Sequence, residues 1–295
     1  MSTATATAKV NGYMVIPPDE VDLRATAQRA RKRRNAWVWA GRVMLAVVVI
    51  GGWQLCTALG WVDKFFYGQP SGIWNSLVKL FTVGTAFGSI WENLGYTVEE
   101  AFLGFLLGTV AGIIFGILLG SNRYLSSVFG PYIKMVNSIP RILLGAIFVV
   151  AFGLGMFPKV LLAAVLVFFV VFFNAFQGVR EVDPNLVANV RVLGASPLQV
   201  ARHVTIPSAM TWIIASMHTA FGFAIIGALV AEVLGSQHGI GLIITQASGN
   251  FDPDTVFACM AIMAVVTLVA EFLITLLEKA LLKWRPPNRS DAQAI

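Results

Sequence analysis

Six polar side chains stand in stretches of sequence otherwise too apolar to hold them: Glu99, Glu100, Asn174, His218, Glu232 and Glu271. Placing such groups in hydrocarbon is costly, so they mark a solute or ion pathway, or they bond to a neighbouring helix. Glu99 and Glu100 are adjacent, and adjacent helix residues point about 100° apart, so they cannot act as a paired carboxylate on one face. Asn174, His218, Glu232 and Glu271 are the pathway candidates. Each has a plainer reading. Glu232, like Glu99 and Glu100, can sit in water at the outer interface, Glu271 can bond across helices, and His218 can be a satisfied packing residue. Catalysis has little to work with. His203, His218 and His238 lie in three different segments without metal-ligand spacing. There is no nucleophile elbow or plausible triad, and no G-x-x-x-x-G-K-[ST] loop to cradle a nucleotide. The expectation is a chain that is not an enzyme and binds no metal. Basic residues are not interleaved with aromatics in a soluble stretch, which reads against nucleic acid. What remains is movement of a solute across a bilayer.

The elements that must position these residues follow from composition. The chain is 57% hydrophobic and 12% charged, whereas a soluble domain carries about 25% charged residues. Apolar runs long enough to cross a hydrocarbon core of about 30 Å occur at about 36–59, 94–120, 159–177, 208–234 and 254–282. A further span begins near Pro131 or after Pro140 and ends near Phe152, divided by the break Ser138-Ile139-Pro140-Arg141. Trp37, Trp39 and Trp61 suit the two interfaces of the first span. Between the first two spans, Pro70-Ser71 opens a short helix over 73–81. The second span carries Gly104, Gly108, Gly112, Gly116 and Gly120. Such a ridge lets a neighbouring backbone approach closely, as a packing surface or as one on which helices slide. The fourth, dense in Val and Phe, is expected to face lipid or a partner subunit. The Gly-rich stretch 235–249 reads as an outer loop or a re-entrant segment. Cys56 and Cys259 fall in apolar runs and read as small apolar side chains.

Residues 1–35 form a basic tail, with Arg24, Arg29, Arg31, Lys32, Arg33 and Arg34 just before the first span. This is expected to be mostly disordered, with helix over 21–34, and lacks the short apolar core of a secretory signal. Six spans place both termini on one side. With the N-terminus inside, three of the 21 basic residues, Lys64, Lys79 and Lys159, fall outside. That skew satisfies the positive-inside rule and makes the loop 178–207 cytoplasmic. The remaining divisions are 36–93, the first span with its outer connection; 94–284, the core; and 285–295, a second tail after the stop Lys283-Trp284-Arg285.

Within that loop, Val190 to Pro207 has a compact grammar. Gly194 closes one helix, Ser196 is an N-cap, and Pro197 takes the first position of a new short helix. Leu198, Ala201 and Val204 fall near one face, while Gln199, Arg202 and His203 face water. Pro207 stops or restarts the chain. The helix is shaped to be gripped by another protein, or it simply joins two spans.

Gly194-Ala195-Ser196, with Val204, Ile206 and Pro207, resembles the cytoplasmic loop of the inner-membrane permeases of ATP-binding-cassette (ABC) importers. That pattern runs Glu-Ala-Ala, three residues, Gly, nine residues, Ile, one residue, Leu-Pro. Gly194 and Pro207 fit; Ala188, Asn189 and Val190 replace Glu-Ala-Ala. Over about 94–284 the chain is most similar to the nitrate, sulfonate, taurine and bicarbonate type. Ile139-Pro140-Arg141, Phe152-Gly153-Leu154-Gly155, Ala231-Glu232 and Gly239-Ile240-Gly241 carry that likeness. Related permeases often have a basic residue near the position of Glu100; none is apparent here. The resemblance implies an all-α integral membrane protein with six transmembrane helices in the type I ABC-importer permease fold. It implies a multi-pass subunit of the bacterial inner membrane, working as a pair, expected to be identical. ABC ATPase subunits would bind ATP and Mg, leaving no cofactor in this chain, and an extracytoplasmic solute-binding protein would deliver the solute. Gly194, Ala195, Ser196, Pro197, Leu198, Gln199, Arg202 and Pro207 would form the contact with the ATPase. An ion-coupled secondary carrier using Glu232 or Glu271 as a proton relay is the alternative.

Overall fold

The computed structural model describes residues 32–280 in full and, as backbone alone, Lys9–Val10, Tyr13–Met14, Pro18–Arg31 and Leu281. Residues 1–8, 11–12 and 15–17 of the tail and all of 285–295, with the basic stop at 283–285, therefore lie outside the described residues. Lys9–Val10 pairs antiparallel with Tyr13–Met14. Helix α1, Pro18–Ala58, belongs to a compact unit of its own comprising 1–64 and 69–71. Its stretch Lys32–Ala58 is long and apolar enough to cross a membrane.

The second unit holds the remaining helices. These are α2 (Lys64–Tyr67) and α3 (Pro70–Thr82), which both straddle the division, α4 (Ile90–Ser121), α5 (Arg123–Ser138), α6 (Leu144–Phe152), α7 (Met156–Arg180), α8 (Pro184–Val192), α9 (Pro197–Val200), α10 (Ile206–Leu234), α11 (Ile240–Gly249) and α12 (Pro253–Leu281). Helices α4, α7, α10 and α12 pass the length and hydropathy requirement for a span. So does the pair formed by α5 and the segment Arg141–Phe152, bent by 75°. Counted with α1, six spans result. The bend falls where Pro140 removes a backbone donor and Ile139 turns to extended backbone.

The core is built on α4 and α7. In lipid, helices gain nothing by hiding apolar surface from water, so close packing must hold them together. The glycines of α4 provide it. A Cβ at Gly108 would lie 2.5 Å from the Ala164 carbonyl oxygen and 2.7 Å from Val167 Cβ. At Gly112 it would lie 2.9 Å from Val171 Cβ, at Gly116 2.6 Å from Ala175 Cβ, and at Gly120 2.9 Å from Val179 Cβ. Gly104 meets Ala163 in the same way. The pairs climb both helices together, four residues at a time, so α4 and α7 run parallel. The chain between them must return across the membrane, which makes the bent α5–α6 pair a crossing.

On its other side α7 meets α10. Gly178 of α7 lies against Ala209 and Trp212, and Gly227 of α10 against Ala163, so these two helices are antiparallel. Val167, Val171, Ala220, Ala224 and Ala228 fill the junction, and Ile240, Ile243, Ala258, Cys259 and Ile262 extend it to α11 and α12. The fourth span was expected to face lipid or a partner. It is instead the most enclosed of the spans. Its Val and Ala residues recur every four positions to fit the α4 ridge, and that spacing matters more than its bulk apolarity. The stretch 235–249, expected as an outer loop or a re-entrant segment, is mostly α11, a helix too short to span.

Adding a methyl at Gly108 forces α4 off α7. We expect Gly108→Ala to destabilise the purified protein by about 1–3 kcal/mol, whereas Gly95→Ala, with open space around its Cβ, should be neutral or slightly stabilising. Thermal unfolding in detergent measures both, and equal melting temperatures would contradict the close-contact account.

Candidate functional site

Two regions collect the polar chemistry. The first surrounds the start of α11. The first turn of any helix leaves backbone N–H groups without partners, and here the turn is buried, with Ile240 fully enclosed. Other helices supply the acceptors. Gly239 N–H donates to Asn93 Oδ1 at 2.8 Å, Ile240 N–H to Thr97 Oγ1 at 2.9 Å, and Gly241 N–H to Glu232 Oε2 at 2.6 Å. Thr97 Oγ1 in turn donates to Glu232 Oε1 at 2.7 Å. Asn93 is itself held by donating to the carbonyls of Ser89 and Phe87. The motif Gly239-Ile240-Gly241 is explained by this contact. Gly239 has φ +107° and a Cβ there would collide with the Glu232 carboxylate; one at Gly241 would lie 2.5 Å from Glu232 Cβ.

Beside this cap, Lys159 Nζ lies 3.6 Å from Glu100 Oε1 and donates to the Leu154 carbonyl at 2.9 Å. Glu100, Lys159 and Glu232 are all enclosed, and Glu232 is 1% exposed. Three expectations change. Glu100 and Glu232 do not sit in water at the outer interface, while Glu99 does stay exposed. Lys159 is not an outer-surface charge. And Glu100 does have a basic neighbour, supplied by α7 where the sequence around it shows none. Burying a carboxylate without a partner is costly; Thr97 and Gly241 N–H meet that need for Glu232, while Lys159 stands beside one oxygen of Glu100 and its Oε2 has no hydrogen-bond partner among the described residues.

The second region is the loop after α7. Asp183 caps α8 by accepting from Asn185 N–H at 2.8 Å. Gly194 has φ +86° and ends the helix, its N–H donating to the Arg191 carbonyl at 2.9 Å. Ser196 and Gln199 then form a reciprocal capping box: Ser196 N–H donates to Gln199 Oε1 at 2.8 Å and Gln199 N–H to Ser196 Oγ at 3.4 Å. Pro197 occupies the first turn. Gln199, expected only to face water, is thus part of the cap, and Arg202 and His203 are exposed.

Two details of this loop differ from expectation. Val200 and Val204 form the buried side, Ala201 is half-buried, and Leu198 is 78% exposed, as is Leu193 at 85%. Nor does Pro207 interrupt the helix. Residues 201–205 form a π-helical turn in which Ile206 N–H reaches back to the Ala201 carbonyl. The wider turn carries the ladder past Pro207, which has no N–H to give. One continuous helix of 38 residues therefore runs Pro197–Leu234.

The other pathway candidates lie apart. Asn174 Nδ2 donates to its own helix at the Val170 carbonyl, 2.8 Å away. His218 of α10 faces α12, with Nε2 3.1 Å from Glu278 Oε2 and Nδ1 4.0 Å from Glu271 Oε1. Sequence reasoning missed Asn93, Thr97, Lys159 and Glu278. The lone lysine four residues after Gly153-Leu154-Gly155 was the readable signal for one of them. Among the described residues no group of three His, Cys, Asp or Glu is placed to hold a metal ion.

Parallel α4 and α7, an antiparallel α10, a buried polar knot and a capped loop between spans define a polytopic transport subunit. The chain belongs to the family described as the binding-protein-dependent transport system inner membrane component, which matches residues 108–283. It is 33% identical over 261 residues to the aliphatic sulfonates transport permease protein SsuC of Bacillus subtilis (strain 168), covering 88% of this chain and 93% of that protein. It is 28% identical over 251 residues to the SsuC protein of Escherichia coli (strain K12), covering 84% and 94%. Its fold is similar to that of a chain in inward-facing structures of the MetNI methionine ABC transporter, with TM-score 0.56 and 18% identity over 63% of this chain and 92% of that one. The protein is the transmembrane permease subunit of an ABC importer. Nothing in the comparisons supports an ion-coupled carrier.

Removing the Glu232 carboxylate leaves Gly241 N–H without its acceptor and the Thr97 hydroxyl with only the Asn93 carbonyl, 3.2 Å away. Glu232→Ala should cost about 2–4 kcal/mol, and Glu232→Gln, which keeps one acceptor and the shape, distinctly less. Thermal unfolding of the two purified variants checks the order; an alanine variant as stable as wild type would show that the cap is not holding α11.

Proposed function

We propose that this permease works as a pair of identical subunits importing a small organic sulfonate, taurine-like or alkyl, received from an extracytoplasmic binding protein. Energy comes from separate ATPase subunits that bind ATP and Mg and grip the loop carrying Gly194, Ala195, Ser196, Pro197, Leu198, Gln199, Arg202 and Pro207. The substrate class rests on the two SsuC relatives. Both termini and this loop face the cytoplasm, in keeping with the distribution of basic residues.

The observation that carries the coupling role is the unbroken helix Pro197–Leu234. At 1.5 Å per residue it is about 57 Å long, enough to cross the membrane and project beyond it. One end is an exposed apolar tip, fixed by Gly194, the capping box and Pro197. The other end carries Glu232, bound to α4 and α11. A push on Leu193 and Leu198 therefore acts on a rod whose far end is fastened to the outer helices, a way to exchange inward- and outward-facing states. Arg202, exposed on the same tip, is free to pair with acidic groups of the ATPase.

Gly194→Asp puts a side chain where φ is +86°, a conformation that costs a β-carbon residue roughly 1–2 kcal/mol, and reshapes the tip. Transport should be lost while membrane insertion persists, and ATPase subunits should no longer copurify. Undiminished copurification and transport would overturn the docking role. A cysteine at Ser196 should react with an impermeant reagent only after the membrane is opened; labelling in intact cells would overturn the orientation.

A further inference from the structure

A cavity of about 530 Å³ lies between α5 and α7, away from both the α11 cap and the α9 tip. Its size is that of a site for a discrete ligand. Its lining is sharply divided. Phe172, Phe173 and Phe176 of α7 form one wall, and Ser126 and Lys134 of α5 with Arg180 of α7 give it two positive charges and a hydroxyl. Among the described residues no acidic side chain lines it. Arg180 is held in place: its Cζ lies 4.7 Å from the centre of the Phe176 ring, and Nη2 donates to Ser126 Oγ at 3.2 Å. Phe173, 38% exposed, and the half-buried Phe176 are the open part of the apolar wall, with Phe172 stacked behind Phe176. Arg180 is the last residue of α7, so it sits at the end of a span. Phe173 lies about two turns deeper, about 10 Å along the helix.

We infer that this cavity binds an anionic phospholipid, with its phosphate between Arg180 and Lys134 and an acyl chain along Phe176 and Phe173. The charge, the hydroxyl and the apolar wall occur in the order a lipid presents them from surface to interior. Basic pockets between spans on the cytoplasmic side favour such headgroups, and that leaflet carries the anionic lipids. A free alkanesulfonate shares the anion and the tail, but the lining charges stand at the end of the helix rather than along a path through it. This site is independent of the coupling role of the α9 tip.

The test uses the full-length protein purified in mild detergent and analysed by native mass spectrometry with added phosphatidylglycerol or phosphatidylcholine. Wild type should retain phosphatidylglycerol preferentially. Lys134→Gln should weaken that retention about fivefold, and Lys134→Gln with Arg180→Gln about 25-fold, on the basis of one surface charge each. Arg180→Lys, which keeps the charge, should retain most of the binding. Phosphatidylcholine binding should not change in any variant. Equal retention of both lipids by wild type, or unchanged phosphatidylglycerol retention in the double variant, would overturn the inference. So would displacement of the lipid by an alkanesulfonate at comparable concentration, which would assign the cavity to the solute.

Discussion

The fold rests on the backbone contact between α4 and α7. Inside a bilayer the usual reward for burying apolar surface is missing, and what remains is closeness. Five glycines on one helix and small or β-branched residues on the other bring two main chains together over most of a membrane thickness. The contact fixes α7 at the centre, parallel to α4. It leaves the opposite side of α7 for α10, and it obliges the intervening chain to cross back through the kinked α5–α6 segment. The arrangement of the remaining helices in this unit follows from that centre.

Much of this could be read from residues alone, because hydrocarbon thickness is an unforgiving ruler. The spans, the break at Pro140, the Ser196 cap and the chain reversal at Gly194 each depend on local chemistry within a few residues. The regular glycine series was also visible, although its partner was not. Val and Ala recurring in α7 look the same whether they meet lipid or glycine, so apolarity alone sent that helix to the outside. The buried charges failed for a related reason. Glu100 finds Lys159, and Glu232 finds Thr97 and Gly241, across gaps in sequence that no local pattern bridges. Only the Gly239-Ile240-Gly241 motif hinted that something needed to approach that backbone closely. At the loop helix, the wide turn at 201–205 altered which side chains share a face, and a strict 3.6-residue count therefore buried Leu198 in place of Val200.

The two polar regions divide the work of one long helix. Near its start, hydrogen bonds are local and rigidify a tip that is otherwise exposed. Near its end, they are long-range and tie α10 to α4 and α11. Between them α10 is almost wholly apolar, apart from His218 and its carboxylate neighbours on α12. Displacement at one end therefore has few places to dissipate before it reaches the other. The family pattern at Gly194 and Pro207 survives here although Glu-Ala-Ala is replaced. The parts that persist are those that shape the backbone.

A groove that repeats every four residues has no origin of its own. Slid by one repeat, about 6 Å, glycines would again meet small side chains and the fit would look nearly the same. Glu100 and Lys159 occupy the rung just before Gly104 and Ala163 in that series, and they are its one charged step. A shift would strand both ions against carbon, so this pair acts as the detent that selects one alignment out of several near-equivalent ones.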